Sequence, residues 1–429
     1  MIFHEMKTYI HGNESFYLVI INIIRCLKKY IQDKRSLFME NFIYMDNAAT
    51  TPVNEQVLEA MIPYFNKNFG NPSGVYRQGY VSKKAIENAR EQVANLIGAY
   101  KDEIFFTSGG SESDNWAIRG IINALGRSKG HLITTKIEHH AILNTCKDIE
   151  KQGYNTTYLP VDKYGLIEPH TLEEMIQADT VLITVMAANN EIGTIEPIKE
   201  LGEIAKNAGI LFHTDAVQAV GHIPIDVKEM NVDMLSLSGH KLGAPKGVGA
   251  LYIKRGIQIQ PFIYGGGQEK HLRAGTENVA GIVGLGVASE VAQKRLYENA
   301  KTLKMLRDKL IVGLLEIPFS KLNGHSTKRL PSNCNISFDF VEGQSVLSFL
   351  DEKGICASGG SACSSGSTSP SHVLLAIGAT RDEAKGTIRF TLGANNTQED
   401  VDYVINNMGA IIQSLREMSP VYNQLISTK

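Results

Sequence analysis

The chain has 429 residues, of which 43% are apolar and 21% are charged, and this length favours two domains over one. The 43 lysines and arginines are matched by 45 aspartates and glutamates, which gives a formal net charge of −2. No broad basic surplus exists to neutralise phosphates, so composition excludes direct nucleic-acid binding as the principal activity.

Residues 1–38 differ in character from the rest of the chain. An apolar run over residues 16–24 ends at Arg25, Lys28 and Lys29, well short of a membrane span, and the segment lacks the basic start and cleavage site of a secretory signal. Strand-like alternation begins at Met39. We interpret residues 1–38 as a disordered leader or a mis-assigned start, with Met39 as the true one, and we predict no membrane association.

The cysteines indicate the redox environment. They are odd in number and show no spacing typical of a metal site, a pattern that fits a reducing compartment with free thiols. We therefore predict a cytoplasmic protein with no dedicated metal ligands. The five are Cys26, Cys146, Cys334, Cys356 and Cys363.

Apolar strands alternate with helical segments over residues 52–297, which predicts an α/β domain with a mainly parallel sheet covered by helices on both faces. A helix over 300–316, further strands and a terminal helix predict a smaller α+β domain from 298 to 429, joined by residues 39–51. In parallel sheets of this kind, ligands bind beyond the carboxyl ends of the strands. The predicted strands cover residues 104–107, 131–135, 156–159, 180–186, 210–214, 234–237 and 249–253.

Two of these strand ends carry a lysine and an acid. Lys241 follows Ser238, Gly239 and His240 at the end of one strand, and Asp215 ends the strand before it. An amine that can form a Schiff base and an anion for a pyridinium nitrogen are the two anchors that pyridoxal phosphate requires. A solvated lysine at a strand–loop junction is the alternative.

The glycine turn at residues 108–110 separates a strand from a helix that contains Ser111. Free amides at a helix N-terminus attract phosphate, and the Ser111 hydroxyl adds a donor. Ordinary N-capping by Ser111, Ser113 or Asp114 is the alternative.

Three polar residues follow other strands. His139 could stack on a flat ring and shuttle protons. The alternative is a loop histidine whose hydrogen bonds are all made within the protein and which has no catalytic role. The amides at Asn189 and Asn190 can bond a phenolate oxygen or a carboxylate. The alternative is that these asparagines only form a turn. Gln218, three residues beyond Asp215, lies on the same face if a helix begins there.

The C-terminal part contributes a thiol and a cation. Cys363 lies in a Gly/Ser-rich loop over about 357–370, where an exposed cysteine suggests a nucleophile that moves; Cys334 and Cys356 are interpreted as structural. Arg389 interrupts an apolar strand, and a buried guanidinium needs an anion. A substrate carboxylate or an internal acid would supply that anion.

Taken in order, these motifs resemble cysteine desulfurases of the NifS/IscS type, which are class-V members of the type I pyridoxal-phosphate fold. The resemblance extends from residue 42 to about 415. Ser111 stands where the family commonly has threonine, and Gly359 replaces a common serine. The motifs are Asp46–Pro52, Phe69–Ser73, Glu112–Asn115, Asn189–Glu191, His213–Gln218, Ser238–Lys241, Arg273–Asn278 and Gly360–Cys363.

The resemblance implies a role for each matching residue. Lys241 corresponds to the Schiff-base lysine, Asp215 to the pyridinium partner, His139 to the imidazole stacked on the ring, and Cys363 to the persulfide-forming nucleophile. The resemblance implies a phosphate cradle formed by Gly110, Ser111, Ser238, Gly239, His240 and Thr276, with Thr276 supplied by the other subunit of a homodimer. It implies that Asn190 and Gln218 bond the phenolate oxygen of the cofactor. It also implies that Arg389 and Asn47 bind the substrate carboxylate.

The implied reaction converts L-cysteine to L-alanine and leaves a persulfide on Cys363. The loop resembles the branch of the family that passes sulfur directly to scaffold proteins, for iron–sulfur cluster assembly or other sulfur transfer, and Cys363 could then transiently ligate a shared cluster. A selenocysteine lyase or another class-V aminotransferase-like enzyme is the alternative from the same class. A non-catalytic sulfur carrier is the alternative from a different class, although Lys241 and Asp215 are both retained.

Overall fold

The computed structural model describes residues 42–359 and 370–427. The predicted leader and Cys363 lie outside the described residues. From Tyr44 onward the described residues form one compact unit. No helix in the two described ranges has the length and apolar character needed to cross a membrane.

A seven-stranded sheet forms the centre of the molecule, with the strand order β2-β8-β7-β6-β5-β3-β4. The neighbours from β4 through β7 pair in parallel, and β8 runs antiparallel to both β7 and β2. The predicted mainly parallel sheet is therefore confirmed. The strands are β2 (Ile104–Thr107), β3 (His131–Thr135), β4 (Asn155–Leu159), β5 (Thr180–Thr184), β6 (Leu211–Asp215), β7 (Met234–Ser238) and β8 (Gly249–Ile253).

Both faces of this sheet are covered. In β3 the successive residues Leu132 and Ile133 belong to two different apolar clusters, and Leu182 and Ile183 in β5 divide in the same way. Because successive side chains of a strand point to opposite faces, the two clusters lie on opposite sides of the sheet. The uninterrupted apolar strands of the sequence follow from this double coverage.

A four-stranded antiparallel sheet lies in the C-terminal part, with the order β12-β13-β10-β9. In β10 and β13 every residue is buried, and Asn335 is paired with Arg389. This antiparallel sheet agrees with the α+β character expected from the sequence. Its strands are β9 (Ser320–Leu322), β10 (Asn333–Phe338), β12 (Ser358–Gly359) and β13 (Thr387–Thr391), while β1 (Ile43–Tyr44) and β11 (Ile355–Cys356) are two-residue strands outside it.

The described helices surround the two sheets. Their bounds are α1 (Glu55–Met61), α2 (Pro63–Asn66), α3 (Arg77–Leu96), α4 (Gly110–Leu125), α5 (His140–Glu150), α6 (Pro169–Met175), α7 (Ile198–Ala208), α8 (Val279–Leu315), α9 (Gly343–Glu352), α10 (His372–Ala376), α11 (Arg381–Lys385), α12 (Gln398–Glu417) and α13 (Pro420–Ser427).

Helix α8 corrects one sequence prediction. It begins at Val279 and not near residue 300, and its 37 residues contact α3 beside the large sheet and β10 in the small one. Glycine disfavours helix in an isolated chain, yet here it permits close packing: a Cβ at Gly284 would lie 2.7 Å from the Met61 sulfur, and one at Gly286 would lie 2.6 Å from Ala89 Cα. The boundary predicted at residue 297 falls inside α8, and the two-domain division stays a prediction.

Candidate active site

A cavity of about 320 Å³ opens at the carboxyl ends of the parallel strands. An overlapping cleft of about 360 Å³ extends it along the start of α4 and adds Thr50, Ser108, Lys246 and Gly247 to its walls. Ten of the residues singled out in the sequence line the cavity together. They are Gly110, Ser111, His139, Asn190, Asp215, Gln218, Ser238, His240, Lys241 and Arg389.

Three predicted site residues that the structure describes do not line the cavity. Gly239 is buried in the turn before Lys241, and Thr276 is exposed to solvent. The Asn47 side-chain amide donates to the Thr391 carbonyl over 2.8 Å. Cys363 lies outside the described residues, so its predicted position is untested.

Lys241 and Asp215 approach the cavity from neighbouring strands. Lys241 follows β7 in a short helical turn, and its ammonium donates to the Ala49 carbonyl at 2.7 Å and to the Ala48 carbonyl. Asp215 ends β6, and its Oδ1 accepts from the Val217 amide over 2.9 Å. Because β6 and β7 are parallel neighbours, an amine and a carboxylate are delivered to one side of the cavity.

His139 stands at the start of α5, where its Nδ1 accepts from the Ala141 amide over 3.1 Å. In the neutral ring, this assigns the proton to Nε2. Burial lowers the pKa of His139, opposed by the nearby Asp215 carboxylate. The imidazole is therefore neutral near pH 7.

The glycine turn before α4 has the geometry of an anion site. The helix begins at Gly110, and no side chain caps it, so ordinary N-capping by Ser111 is not observed. A Cβ at Gly110 would lie 2.6 Å from Val217 Cγ2, which explains why a glycine is required there. The amides of the first turn are consequently available to a negatively charged group.

His240 lies on the other side of this cleft. Its Nδ1 is 3.1 Å from the Thr50 hydroxyl, and burial together with the Lys241 ammonium lowers the pKa of His240 to about 4. His240 is thus a neutral hydrogen-bonding partner near pH 7 and contributes no charge to the cleft.

Arg389 enters from the small sheet and is fully buried in β13. Its guanidinium donates to the Asn190 carbonyl over 3.0 Å and to Asp46 Oδ1 over 2.9 Å. Its Nε has no hydrogen-bond partner in the part of the chain that the structure describes. The internal acid considered from the sequence is therefore present, and one donor remains for a second anion.

Gln218 and Asn190 complete the walls. The Gln218 side-chain amide donates to the Ala48 carbonyl over 3.0 Å, which leaves its second N–H as a donor. The segment that carries Asn190 is shaped by the preceding Asn189, whose side-chain oxygen accepts from the amides of Glu191 and Ile192. The asparagine turn is thus formed by Asn189, while Asn190 lines the cavity.

Sequence reasoning missed two acids of the site. Asp46, in the segment before α1, was not recognised as the partner of Arg389. Asp114 was considered as a helix cap, although it lines the cavity one turn after Gly110. The spacing of four residues along one helix face was the signal that could have found it.

The chain is similar in sequence to proteins of a known family. The model of the aminotransferase class-V family matches residues 43–404. "Cysteine desulfurase IscS" of Methanosarcina thermophila is 58% identical over 380 residues, which cover 88% of this chain and 94% of that protein. The Clostridium botulinum (strain Hall) protein of the same name is 54% identical over 394 residues, covering 91% of this chain and 99% of its own length.

Solved structures agree with the sequence relatives. A "NifS-like protein" superimposes with a TM-score of 0.82 at 40% identity and covers 87% of this chain and 100% of its own. A second structure, "SspA in complex with cysteine", has a TM-score of 0.73 at 42% identity, covering 82% and 98%. The chain therefore belongs to the class-V aminotransferase family, whose members depend on pyridoxal phosphate, and its relatives within that family include cysteine desulfurases named IscS.

Proposed function

We propose that this chain is a cysteine desulfurase that removes sulfur from L-cysteine, releases L-alanine and carries the sulfur as a persulfide on Cys363. The observation that carries the proposal is the convergence of Lys241, Asp215 and the spare Arg389 donor on one cavity. The names of the relatives and the cysteine bound to the SspA structure supply the substrate class.

The cavity fits pyridoxal phosphate group by group. The uncapped first turn of α4 offers amides and the Ser111 hydroxyl to a phosphate, Lys241 offers an amine to the aldehyde, and Asp215 offers an anion to the ring nitrogen. The second N–H of the Gln218 side-chain amide and the side-chain amide of Asn190 would donate to the phenolate oxygen. When bound, the cofactor supplies an electron sink for the substrate's α-carbon.

The protein's own groups hold the substrate and move its protons. The free Nε of Arg389 binds the α-carboxylate, and Asn47 is held beside the same strand, β13, by its hydrogen bond to Thr391. Lys241 Nζ is the base for the α-proton. His139, neutral and protonated on Nε2, holds the ring in place and exchanges protons with the substrate.

Sulfur transfer belongs to Cys363. Burial raises the pKa of the Cys146 and Cys334 thiols to about 12 each and also raises that of Cys356, so these described cysteines stay thiols at neutral pH. The Cys363 thiolate forms an S–S bond to the substrate sulfur as the Cβ–S bond breaks. The electron pair of the broken bond goes to Cβ, which takes a proton, and the α-carbon regains a proton from Lys241, so that L-alanine is released.

The proposed assembly is a cytoplasmic homodimer. Large apolar side chains are exposed between residues 58 and 80, and Tyr264 is 76% exposed, which is unusual for the surface of a monomer. By the family resemblance, a second copy would supply Thr276 to the phosphate cleft, and Thr276 is exposed in this chain. A scaffold protein for iron–sulfur assembly or other sulfur transfer then receives the persulfide sulfur.

The test uses the full chain loaded with pyridoxal phosphate and given L-cysteine. We expect sulfide in the presence of a thiol reductant, an equal amount of L-alanine, and a mass increase of one sulfur atom on Cys363. Cys363→Ser should keep the cofactor absorbance while sulfide falls to background, whereas the control Cys356→Ser should retain activity.

Three results would contradict the proposal. Undiminished sulfide release by Cys363→Ser would remove the nucleophile assignment. A keto acid formed in place of L-alanine would indicate an aminotransferase, and a strong preference for selenocysteine would indicate a lyase for that substrate.

A further inference from the structure

Asp114 is a buried carboxyl group with neither of its oxygens satisfied. It is 1% exposed, it lies on α4, and it lines the same cavity as Asp215. Neither Oδ1 nor Oδ2 has a hydrogen-bond partner among residues 42–359 and 370–427. An ionised carboxylate in such a position would incur a large desolvation cost.

Among the residues that the structure describes, no cation compensates a charge on Asp114. The closest ring nitrogen is His213 Nε2, at 3.9 Å. Burial lowers the pKa of His213 to about 3, and its two nitrogens contact the Thr184 hydroxyl at 2.8 Å and the Ser236 hydroxyl at 3.0 Å. His213 is therefore a neutral ring and cannot pair with an anion.

The other charged groups that face Asp114 are acids. Desolvation raises the pKa of Asp114 well above its ordinary value, and the charges of Asp215 and Glu138 raise it further. The nearby Ser236 hydroxyl opposes the shift, although it hydrogen bonds to His213. Repulsion between two buried carboxylates favours the state in which one of them keeps its proton.

The surroundings decide which of the two acids keeps the proton. Burial raises the pKa of Asp215, but the Val217 amide, which donates to its Oδ1, and the Lys241 ammonium both lower it. Within the described ranges, no cation lowers the pKa of Asp114, and the one nearby donor, the Ser236 hydroxyl, is shared with His213 Nε2 at 3.0 Å. The anion is consequently better stabilised on Asp215.

We propose that Asp114 is an uncharged acid at neutral pH, so that a cofactor ring bound in this cavity meets a single anion, at Asp215. The proposal depends on the proposed function for its consequence at the ring. The protonation of Asp114 itself is a property of the chain and can be tested without cofactor.

Infrared spectroscopy of the cofactor-free full chain tests the protonation directly. Protein labelled with ¹³C at aspartate carboxyl carbons should show, at pH 7, an isotope-shifted C=O stretch of a protonated carboxyl group. Labelling only aspartate separates this band from that of Glu138. The band should be lost in Asp114→Asn and kept in the matched control Asp215→Asn.

The wild-type protein alone gives a second measurement, which needs no variant to fold. Its band should persist as the pH is raised from 6 to 8. A wild-type protein without the band at pH 7, or a band that disappears in Asp215→Asn and survives in Asp114→Asn, would overturn the proposal.

Binding of pyridoxal phosphate tests the consequence at the ring. Because asparagine is as uncharged as the protonated acid, Asp114→Asn should bind the cofactor within about twofold of wild type, with an unchanged absorbance maximum between pH 6 and 9. Asp215→Asn should bind at least tenfold more weakly. A shifted spectrum or a tenfold loss in Asp114→Asn would show that Asp114 acts as an anion.

The two sets of measurements separate the possible failures. If the chain bound no pyridoxal phosphate, the infrared measurement would still test whether Asp114 is protonated. If the infrared band were absent, the proposed desulfurase activity would be unaffected.

Discussion

The two ends of the cavity are built in different ways. At the ring end, Asp215 and Lys241 come from the adjacent parallel strands β6 and β7. At the carboxylate end, Arg389 of the small antiparallel sheet is held by Asp46, 343 residues earlier in the chain. The ring end is formed by consecutive strands of the chain, whereas the carboxylate end is formed by residues near the beginning and the end of the described chain.

Their electrostatics differ as well. The ring end contains buried acids and few cations, so its net charge depends on which of these acids are protonated. The carboxylate end holds a cation whose charge is already balanced by Asp46, with one donor left over. We infer that the ring end controls cofactor binding and proton transfer, while the carboxylate end controls substrate affinity, and variants at the two ends should separate these properties.

The largest effect is expected at the ring end, from Lys241→Ala. Loss of the amine removes covalent attachment of the cofactor, so we expect no protein mass increase after borohydride reduction in the presence of pyridoxal phosphate, and no sulfide release. Lys254→Ala, which removes an exposed lysine paired with Asp233 on the surface, is the control and should behave like wild type. Full attachment in Lys241→Ala would contradict the assignment of the amine.

The second variant, Arg389→Lys, lies at the carboxylate end. It keeps the charge and loses the planar fork, and a lost hydrogen bond to a charged group corresponds to about tenfold or more in affinity. We expect the KM for L-cysteine to rise about tenfold, with the cofactor absorbance unchanged. If the absorbance changed while KM did not, the two ends would not be separable.

Ser111→Ala should have a more moderate effect, confined to the cofactor. The hydroxyl lies beside the uncapped turn of α4, and its loss should weaken pyridoxal phosphate binding by about tenfold, measured by equilibrium dialysis. Ser111→Thr retains the hydroxyl and should bind as wild type does. Equal affinity in all three proteins would exclude Ser111 from the phosphate site.

The contrast between the two ends also explains what the sequence could predict. Asp215 and Lys241 end recognisable apolar strands, and strand order in a parallel sheet brings such ends together. The pairing of Asp46 with Arg389 depends on tertiary folding between distant segments, and no local pattern reports it. The first half of α8 was missed because its glycines weaken the helical pattern, although they serve packing against α1 and α3.

The smallest effect is expected from a buried acid outside the cavity. Glu196 is 4% exposed, its Oε2 accepts from the Ile167 amide over 3.0 Å, and burial raises the pKa of Glu196 to about 8. A raised pKa means that the folded protein binds this proton more tightly than the unfolded chain does, whose glutamates titrate at about 4.3. The stabilisation is therefore complete below that value and is lost as the pH rises through about 8.

Glu196→Gln keeps the acceptor for Ile167 and removes the titration. We expect the Tm of the wild type to fall more steeply between pH 5 and pH 8 than that of the variant, by a few degrees, while cysteine turnover at pH 7 stays the same. Thermal melts of the two proteins at matched pH provide the measurement. Parallel Tm curves would show that Glu196 ionises without cost, and would contradict the interpretation that burial keeps this acid protonated against the lowering effect of the Lys328 charge.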